Sequence, residues 1–402
     1  MATVLRDAKI SPDAQDFTDF AHTGPGTLAG RYMRSFWQPV TLSARLQAGR
    51  ALPLRIMSQN FTLYRGEGGE VHCIDLHCAH RGTQLAAGWV EGDCIRCPYH
   101  GWKYDGTGQC VEQPLEGRES TYYQKVKIGG YPARDYLGAI FVYFGEGKPP
   151  EFPRYPEWEN AKLVVPLMNT RPCNFFQNVE NYVDEGHLAF THRTSAFTQA
   201  ALDKLPTLSA EETPWGVTCV AMREGRRRAT CLGMPNIGMF AVHPDNIRKP
   251  GEEETNKSEA AWQEFLDYRV PIDDENHIEF HLVHVHLASD VVDEAYAQRW
   301  KQFANAEEEG HKVAQAVLRG EIPYDDIPKL CHHVPLAQDE VCQAGQGAIA
   351  DRRKDVEHLG RSDVAIITLR KLWSTELKAL AEGRPLRKFS RPEGMLPEAG
   401  GM

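Results

Sequence analysis

The sequence predicts an α+β chain, with a small antiparallel β domain followed by a larger part in which strands and helices are mixed. Three observations carry this. Before residue 145 the apolar segments are short, β-branched or aromatic, and separated by glycines. Residues 145–160, GEGKPPEFPRYPEWEN, hold four prolines without apolar periodicity and read as a domain linker. Beyond them, long strand patterns alternate with helical ones.

In the first part, LRIMSQNFTLYRG (54–66), EVHCIDL (70–76) and LGAIFVYFG (137–145) each read as a strand. In the second, HIEFHLVHVHLAS (277–289) reads as one long strand. Near the end, Ser362 or Asp363 is placed to cap a helix whose apolar positions are Val364, Ile367, Trp373, Leu377 and Leu380. The acidic stretches 251–259 and 305–312 read as solvated loops or helix faces.

Composition narrows the class. The 402 residues are 42% hydrophobic and 25% charged, which excludes disordered, collagen-like and coiled-coil chains. With 55 acidic against 45 basic residues the formal charge is -10, an argument against nucleic-acid or anionic-membrane partners. The first residues lack the apolar core of a secretory signal and no run of eighteen apolar residues occurs, so the expected location is the cytoplasm. There the ten cysteines stay reduced, and their spacing is searched for metal ligands before disulfides.

Two constellations carry chemistry. In CAHRGTQLAAGWVEGDCIRCPYH (78–100), Cys78-x-His80 precedes Cys97-x-x-His100 by sixteen residues, so two loops each offer one thiolate and one imidazole. Such a set suits either a tetrahedral zinc ion or a two-iron, two-sulfur cluster with both histidines on one iron; ligand type alone does not decide. Gly82 and Gly101, just after the ligand pairs, allow the tight turns and close backbone approach that a bulky cluster favours. Cys73, Cys94 and Cys110 read as buried small hydrophobes, and His77 as no ligand.

In QNVENYVDEGHLAFTHR (177–193), a helix would put Glu180, Asp184 and His187 on one face, with His192 five residues on. Two neutral histidines and a carboxylate on one face of an iron(II) leave positions open for dioxygen and substrate. Asp184 is the near carboxylate. Asp339, Asp351, Asp355 and Asp363 lie further along the chain. For the last three there are plain alternatives: pairing with neighbouring arginines, facing solvent and capping a helix.

The element Cys97, Pro98, Tyr99, His100, Gly101, Trp102, with the upstream Cys-x-His pair, resembles the Rieske family. The segment Asp184-x-x-His187-x-x-x-x-His192 is similar to the motif of Rieske non-haem iron oxygenases, and residues 24–40, 268–285 and 337–363 resemble the phthalate-dioxygenase-like branch. The resemblance implies a Rieske β domain (41–150) inserted into a helix-grip catalytic domain (151–402), an open antiparallel sheet with helices, against which residues 1–40 pack. It implies one 2Fe-2S cluster on Cys78, His80, Cys97 and His100, and one mononuclear iron on His187, His192 and Asp339. Asp184 would then be a bridge carrying electrons from His100 of one chain to His187 of the next in a head-to-tail homotrimer.

Neither a GxGxxG fingerprint nor a plant-type ferredoxin cysteine run occurs, so a separate NAD(P)H-dependent reductase, with or without a ferredoxin, is expected to supply electrons. The resemblance implies an oxygenase that uses dioxygen to hydroxylate a small aromatic substrate such as an aromatic acid or aryl ether. The competing class is a Rieske electron-transfer or interaction protein without oxygenase activity, which has no use for His187 and His192. For the substrate pocket the candidates are Met234 and Asn236, in the apolar run 234–240, and the strand face carrying Phe280, Leu282, His284 and His286. Arg226, Arg227 and Arg228 offer a carboxylate clamp or a solvated basic turn.

Overall fold

The computed structural model describes residues 16–117, 119–195, 204–242, 262–286, 307–353 and 355–390. It divides into two compact units. One is built of Met33–Asn160 with Val270–Asp273, the other of the residues up to Tyr32 with Ala161–Arg269 and the chain from Asp274 onward. The acidic stretch 251–259 lies outside the described residues, as do 287–289 of the long strand segment and the side chain of Arg226.

The first unit consists of three small antiparallel sheets, one of three strands and two of four. The segment expected as one strand over 54–66 is a hairpin: Arg50–Ile56 and Gln59–Arg65 pair with Ile56 opposite Gln59. Met57 and Ser58 both take positive φ, 49° and 60°, the two-residue turn whose twist matches that of the flanking strands. Periodicity could not show it, because neither residue is the Asn, Asp or Gly that usually takes positive φ in such a turn. Ile74, Leu85, Ile95, Trp102, Tyr104 and Val126 form a core that also includes Cys78, Cys97 and Cys110. Cys73 is buried, whereas Cys94 is only half-buried, on the short strand Cys94–Arg96.

The stretch 145–160 is not a free linker. Phe152, Tyr155 and Trp158 are buried, and the Phe152 ring stands edge-on to Trp37, Tyr136 and Phe141. Pro156 opens a short helix, Pro156–Glu159, where its missing N–H costs nothing. The prolines therefore stiffen a strap on the first unit.

The second unit is a seven-stranded antiparallel sheet. Its order runs Val164–Arg171, His277–His286, Trp262–Pro271, Ile237–Val242, Arg226–Gly233, Gly216–Arg223, Thr207–Glu212. Around it lie the helices Phe175–Val183, Glu307–Leu318, Val334–Ala344 and Val364–Ala381. The last helix buries Ala365, Leu369, Leu372, Trp373 and Leu377, while Ile367 is exposed, so its inner stripe is rotated from the one expected. Asp363 precedes this helix without capping it through its side chain; its Oδ2 accepts instead from the Gly360 N–H. Trp373 is the hub of an aromatic cluster with Phe20, Tyr32, Phe175 and Phe176, which holds the N-terminal segment to this unit. No helix among the described residues is long and apolar enough to cross a membrane.

Candidate functional site

In the first unit Cys78 and Cys97 sit on two loops of the same construction. The Cys78 N–H donates to Thr83 O and the Gly82 N–H to Cys78 O, both at 2.9 Å; the Cys97 N–H donates to Trp102 O at 2.8 Å and the Gly101 N–H to Cys97 O at 3.1 Å. Gly82 and Gly101 have φ of 75° and 74°, a left-handed conformation that disfavours any other residue. Each loop thus ends in a forced glycine four residues after its cysteine. The sulfurs are buried, His80 is exposed and His100 half-buried, and the two imidazole centroids are 4.5 Å apart.

Burial pushes the Cys78 thiol up from its ordinary range, so a bound metal cation would be what turns it into a thiolate ligand. Among the described residues, the groups of three metal-type donors that gather within 4.8 Å of one another are His187–His192–Asp339 and Glu264–His284–His286, and neither draws on these four residues. Two thiolates and two imidazoles that do not close on one point would suit a two-iron cluster better than one tetrahedral ion.

In the second unit the helix Phe175–Val183 stops before Asp184, and His187 and His192 flank the single turn Leu188–Thr191. Glu180 therefore does not share a face with them. It pairs with Arg352 at 2.7 Å and with Arg370, away from the site. Asp184 turns back on the break, its Oδ1 accepting from the N–H groups of Gly186 at 2.9 Å and His187 at 3.3 Å. Burial pushes its carboxyl up from the usual range, against the pull of His187.

Both imidazoles are oriented by their Nδ1 atoms. His187 Nδ1 donates to Asp184 O, and His192 Nδ1 to Gln338 Oε1 at 3.1 Å; Gln338 is fixed in turn by donating from Nε2 to Thr194 Oγ1 at 2.7 Å. Each ring then offers Nε2 to the same oxygen. Asp339 Oδ1 lies 3.2 Å from His192 Nε2 and 3.7 Å from His187 Nε2. Burial alone would raise Asp339 and lower His192; their mutual attraction outweighs it, leaving the carboxyl below and the imidazole above its ordinary value. The two nitrogens and one carboxylate oxygen, with bonded outer nitrogens, suit a divalent iron. Of the rival carboxylates, Asp351 pairs with Arg353 at 2.6 Å on the surface, Asp355 is exposed, and Asp363 stands at the start of the last helix.

A buried network holds Asp339 against the sheet. Arg171 donates from Nη2 to Glu279 Oε2 at 2.9 Å and from Nη1 to Leu336 O at 2.7 Å, tying the first turns of the Val334–Ala344 helix to the sheet. Arg269 joins Glu279 Oε1, at 3.1 Å, to Asn178 Oδ1 at 3.1 Å on the helix before Asp184. His281 lies 2.8 Å from Asp267 Oδ1 and 3.5 Å from Glu279; burial pulls it down, but the two carboxylates push it up to about 10. None of these residues stood out in the sequence. Their signal was alternation along 277–286, read on the wrong face.

A cavity of about 700 Å³ opens beside the triad, lined among others by Asp184, Leu167, Tyr182, Phe240, Phe265 and Leu336. Phe240 and Phe265 stack at 4.2 Å and 4°. Glu279 and His281 line it, so Phe280, Leu282, His284 and His286, one residue out of step, point to the opposite face of the sheet. Met234 and Asn236 do not line it either. Both are buried where Arg226–Gly233 turns into Ile237–Val242, and Asn236 Nδ2 is spent on Arg269 O at 2.7 Å. Alternation likewise sends Arg228 into the cavity, where its Nε is 3.3 Å from Glu185 Oε1. Arg228 Nη1 and the Tyr182 hydroxyl are buried there with no hydrogen-bond partner among the described residues.

A two-unit chain with a paired Cys–His loop site in a small β unit, and a two-histidine, one-carboxylate site beside a cavity in a larger sheet-and-helix unit, defines a Rieske-type oxygenase. Residues 36–128 match the Rieske [2Fe-2S] domain family. The chain is 30% identical over 391 residues to the tert-butanol monooxygenase / tert-amyl alcohol desaturase oxygenase subunit of Aquincola tertiaricarbonis, covering 92% of this chain and 78% of that one. It is 29% identical over 388 residues to the 5,5'-dehydrodivanillate O-demethylase oxygenase subunit of Sphingobium sp. (strain NBRC 103272 / SYK-6), covering 94% and 83%. A carbazole-bound oxygenase solved in complex with the ferredoxin of carbazole 1,9a-dioxygenase has the same fold, with a TM-score of 0.63 at 20% identity over 92% of this chain and 96% of that one.

The chain belongs to the Rieske non-haem iron oxygenases and is the oxygenase component of a multicomponent system. Its cofactors are a 2Fe-2S cluster and a mononuclear iron, with dioxygen as co-substrate.

Proposed function

We propose that the chain hydroxylates an aromatic compound of one or two rings that carries an acid, ether or phenol oxygen, with Cys78, His80, Cys97 and His100 holding the cluster and His187, His192 and Asp339 the iron. The observation that carries the substrate reading is the cavity beside the triad. Its volume of about 700 Å³ is far more than a small aliphatic alcohol fills, and its lining sets the apolar Leu167, Phe240, Phe265 and Leu336 beside charged groups such as Arg228 and Glu279. The Arg228 side chain, 28% exposed in that lining, supplies a cation able to meet a substrate oxygen.

When bound, the cluster supplies electrons singly and the iron supplies the site at which dioxygen is activated. The chain's own residues do the rest. Asp184 O and Gln338 Oε1 hold the imidazoles with Nε2 forward, Arg171 holds the helix of Asp339 in place, and Phe240 and Phe265 exclude water from one wall. The exposed His80 stands near exposed Tyr99, and Leu115 and Tyr122 of the same unit are exposed as well. This apolar rim supports docking of a neighbouring chain in a head-to-tail homotrimer, with Asp184 as the bridge to His100 of that neighbour, and of the reductase or ferredoxin that delivers electrons.

The test is oxygen uptake and product analysis on aryl ethers and aromatic acids with a reductase supplied. Asp339→Ala is expected to lose mononuclear iron and all coupled turnover while keeping the cluster's visible absorption. Full iron content in that variant moves the ligand elsewhere. Asp184→Asn is expected to keep both metals and lose coupled turnover.

A further inference from the structure

The sheet carries a second set of metal-type donors that the oxygenase chemistry does not use. On the face opposite the cavity, Glu264 Oε2 lies 3.2 Å from His284 Nδ1 and 2.8 Å from His286 Nε2. The strands that bear them, Trp262–Pro271 and His277–His286, are neighbours in the sheet, and the i, i+2 spacing of the histidines puts both imidazoles on one side of their strand. The rings are 3.9 Å apart between centroids and tilted by 38°.

We infer that Glu264, His284 and His286 form a second metal site, for a divalent transition ion of the zinc type, separate from the iron of the cavity. Three arguments support it. The donors are of two kinds, two borderline-soft nitrogens and one carboxylate, the set that three-ligand zinc sites use with water as the fourth ligand. The carboxylate lies 3.2 and 2.8 Å from the two nitrogens, near the roughly 3.3 Å between ligands that stand about 2.0–2.1 Å from a tetrahedral ion, and all three donors lie within 4.8 Å of one another. The site is also half-enclosed: Glu264 and His284 are buried, while the His286 side chain is 30% exposed and gives an ion its way in.

Without metal, His284 Nδ1 and His286 Nε2 hydrogen-bond the Glu264 carboxylate. A cation would replace these two hydrogen bonds, each facing ring nitrogen then offering its lone pair in place of a proton. The ion would staple two neighbouring strands near the ends where Glu264 and His286 stand, and would leave the cavity face untouched.

The test uses cluster-loaded protein carrying His187→Ala and His192→Ala, so that the cavity site is disabled and the cluster site is full. After incubation with Zn²⁺ and desalting, one zinc per chain is expected, with a melting temperature that rises with the logarithm of the zinc concentration. Co²⁺ in place of Zn²⁺ is expected to give the visible absorption of a low-coordinate nitrogen and oxygen site. Adding His286→Ala, at the half-exposed position where folding is least at risk, removes the zinc and the thermal shift, and Glu264→Gln does the same. Zinc retained undiminished in both variants overturns the site, as does no zinc above that of the His286→Ala protein. Neither result touches the oxygenase reading, because the iron ligands are already absent.

Discussion

The two proposed iron sites are built on opposite plans. The cluster loops are local. Cys78 to His100 is one short stretch, and each loop is closed by two of its own backbone hydrogen bonds and one left-handed glycine. The mononuclear site is distributed, with His192 and the Gln338 that orients it 146 residues apart, and the helix of Asp339 held to the sheet by the Arg171 guanidinium. A local site fails only when its own residues change. A distributed one fails whenever its supports do, and a buried charge network is the kind of support whose loss is expensive.

The sharpest way to break that comparison is Arg171→Met. It removes the guanidinium that joins Glu279 to Leu336 O and leaves a buried carboxylate with one fewer partner. Removing one member of a buried ion pair costs about 3–5 kcal/mol. The variant is expected to melt at a lower temperature and to lose mononuclear iron, while the cluster's visible absorption per chain stays at the wild-type value. Equal loss of both metals would show that the two regions are not independent.

The same contrast explains what the sequence made legible. The Cys-x-His and Cys-x-x-His pairs are close in the chain because the loops that hold them are short, so spacing alone singled them out as candidates. His187 and His192 were legible for the same reason. Asp339 was not distinguishable by chemistry from Asp351, Asp355 and Asp363, since what separates them is a fold that brings one of the four against the imidazoles. The cavity wall was misread at one step. Phe280, Leu282, His284 and His286 form the more conspicuous pattern, yet the polar, mixed-charge face of Glu279 and His281 is the one that lines the cavity. Charges buried in pairs look like surface in a sequence, because their partners are not adjacent.

A smaller effect sharpens the distributed side. His281 is raised to about 10 in the folded chain, burial opposing and Asp267 and Glu279 outweighing it. With an unfolded value near the ordinary histidine range of about 6.5, its contribution is complete below that pH and is lost as pH rises through about 10. The wild-type melting temperature is expected to fall over that window, and the difference from His281→Asn to shrink as pH rises. A difference independent of pH between 6 and 10 would mean that His281 is neutral in the network.

The smallest effect tests the local side without disturbing its fold. The Tyr104 hydroxyl lies 3.3 Å from Cys78 Sγ and accepts the Ala79 N–H at 3.1 Å. With its oxygen taken by that N–H, and with Cys78 as a thiolate ligand of the proposed cluster site, the hydroxyl proton would point at the sulfur. Reduction adds an electron to the cluster, so a donor on a ligating sulfur stabilises the reduced state more than the oxidised one and raises the potential. A hydrogen bond stronger by about 1 kcal/mol in the reduced state corresponds to roughly 40 mV for one electron. Tyr104→Phe is therefore expected to lower the cluster potential by that order, read by spectroelectrochemical titration, with iron content at the cavity site unchanged. A potential that does not move would mean the hydroxyl serves only Ala79, and the loop would then be set entirely by its backbone.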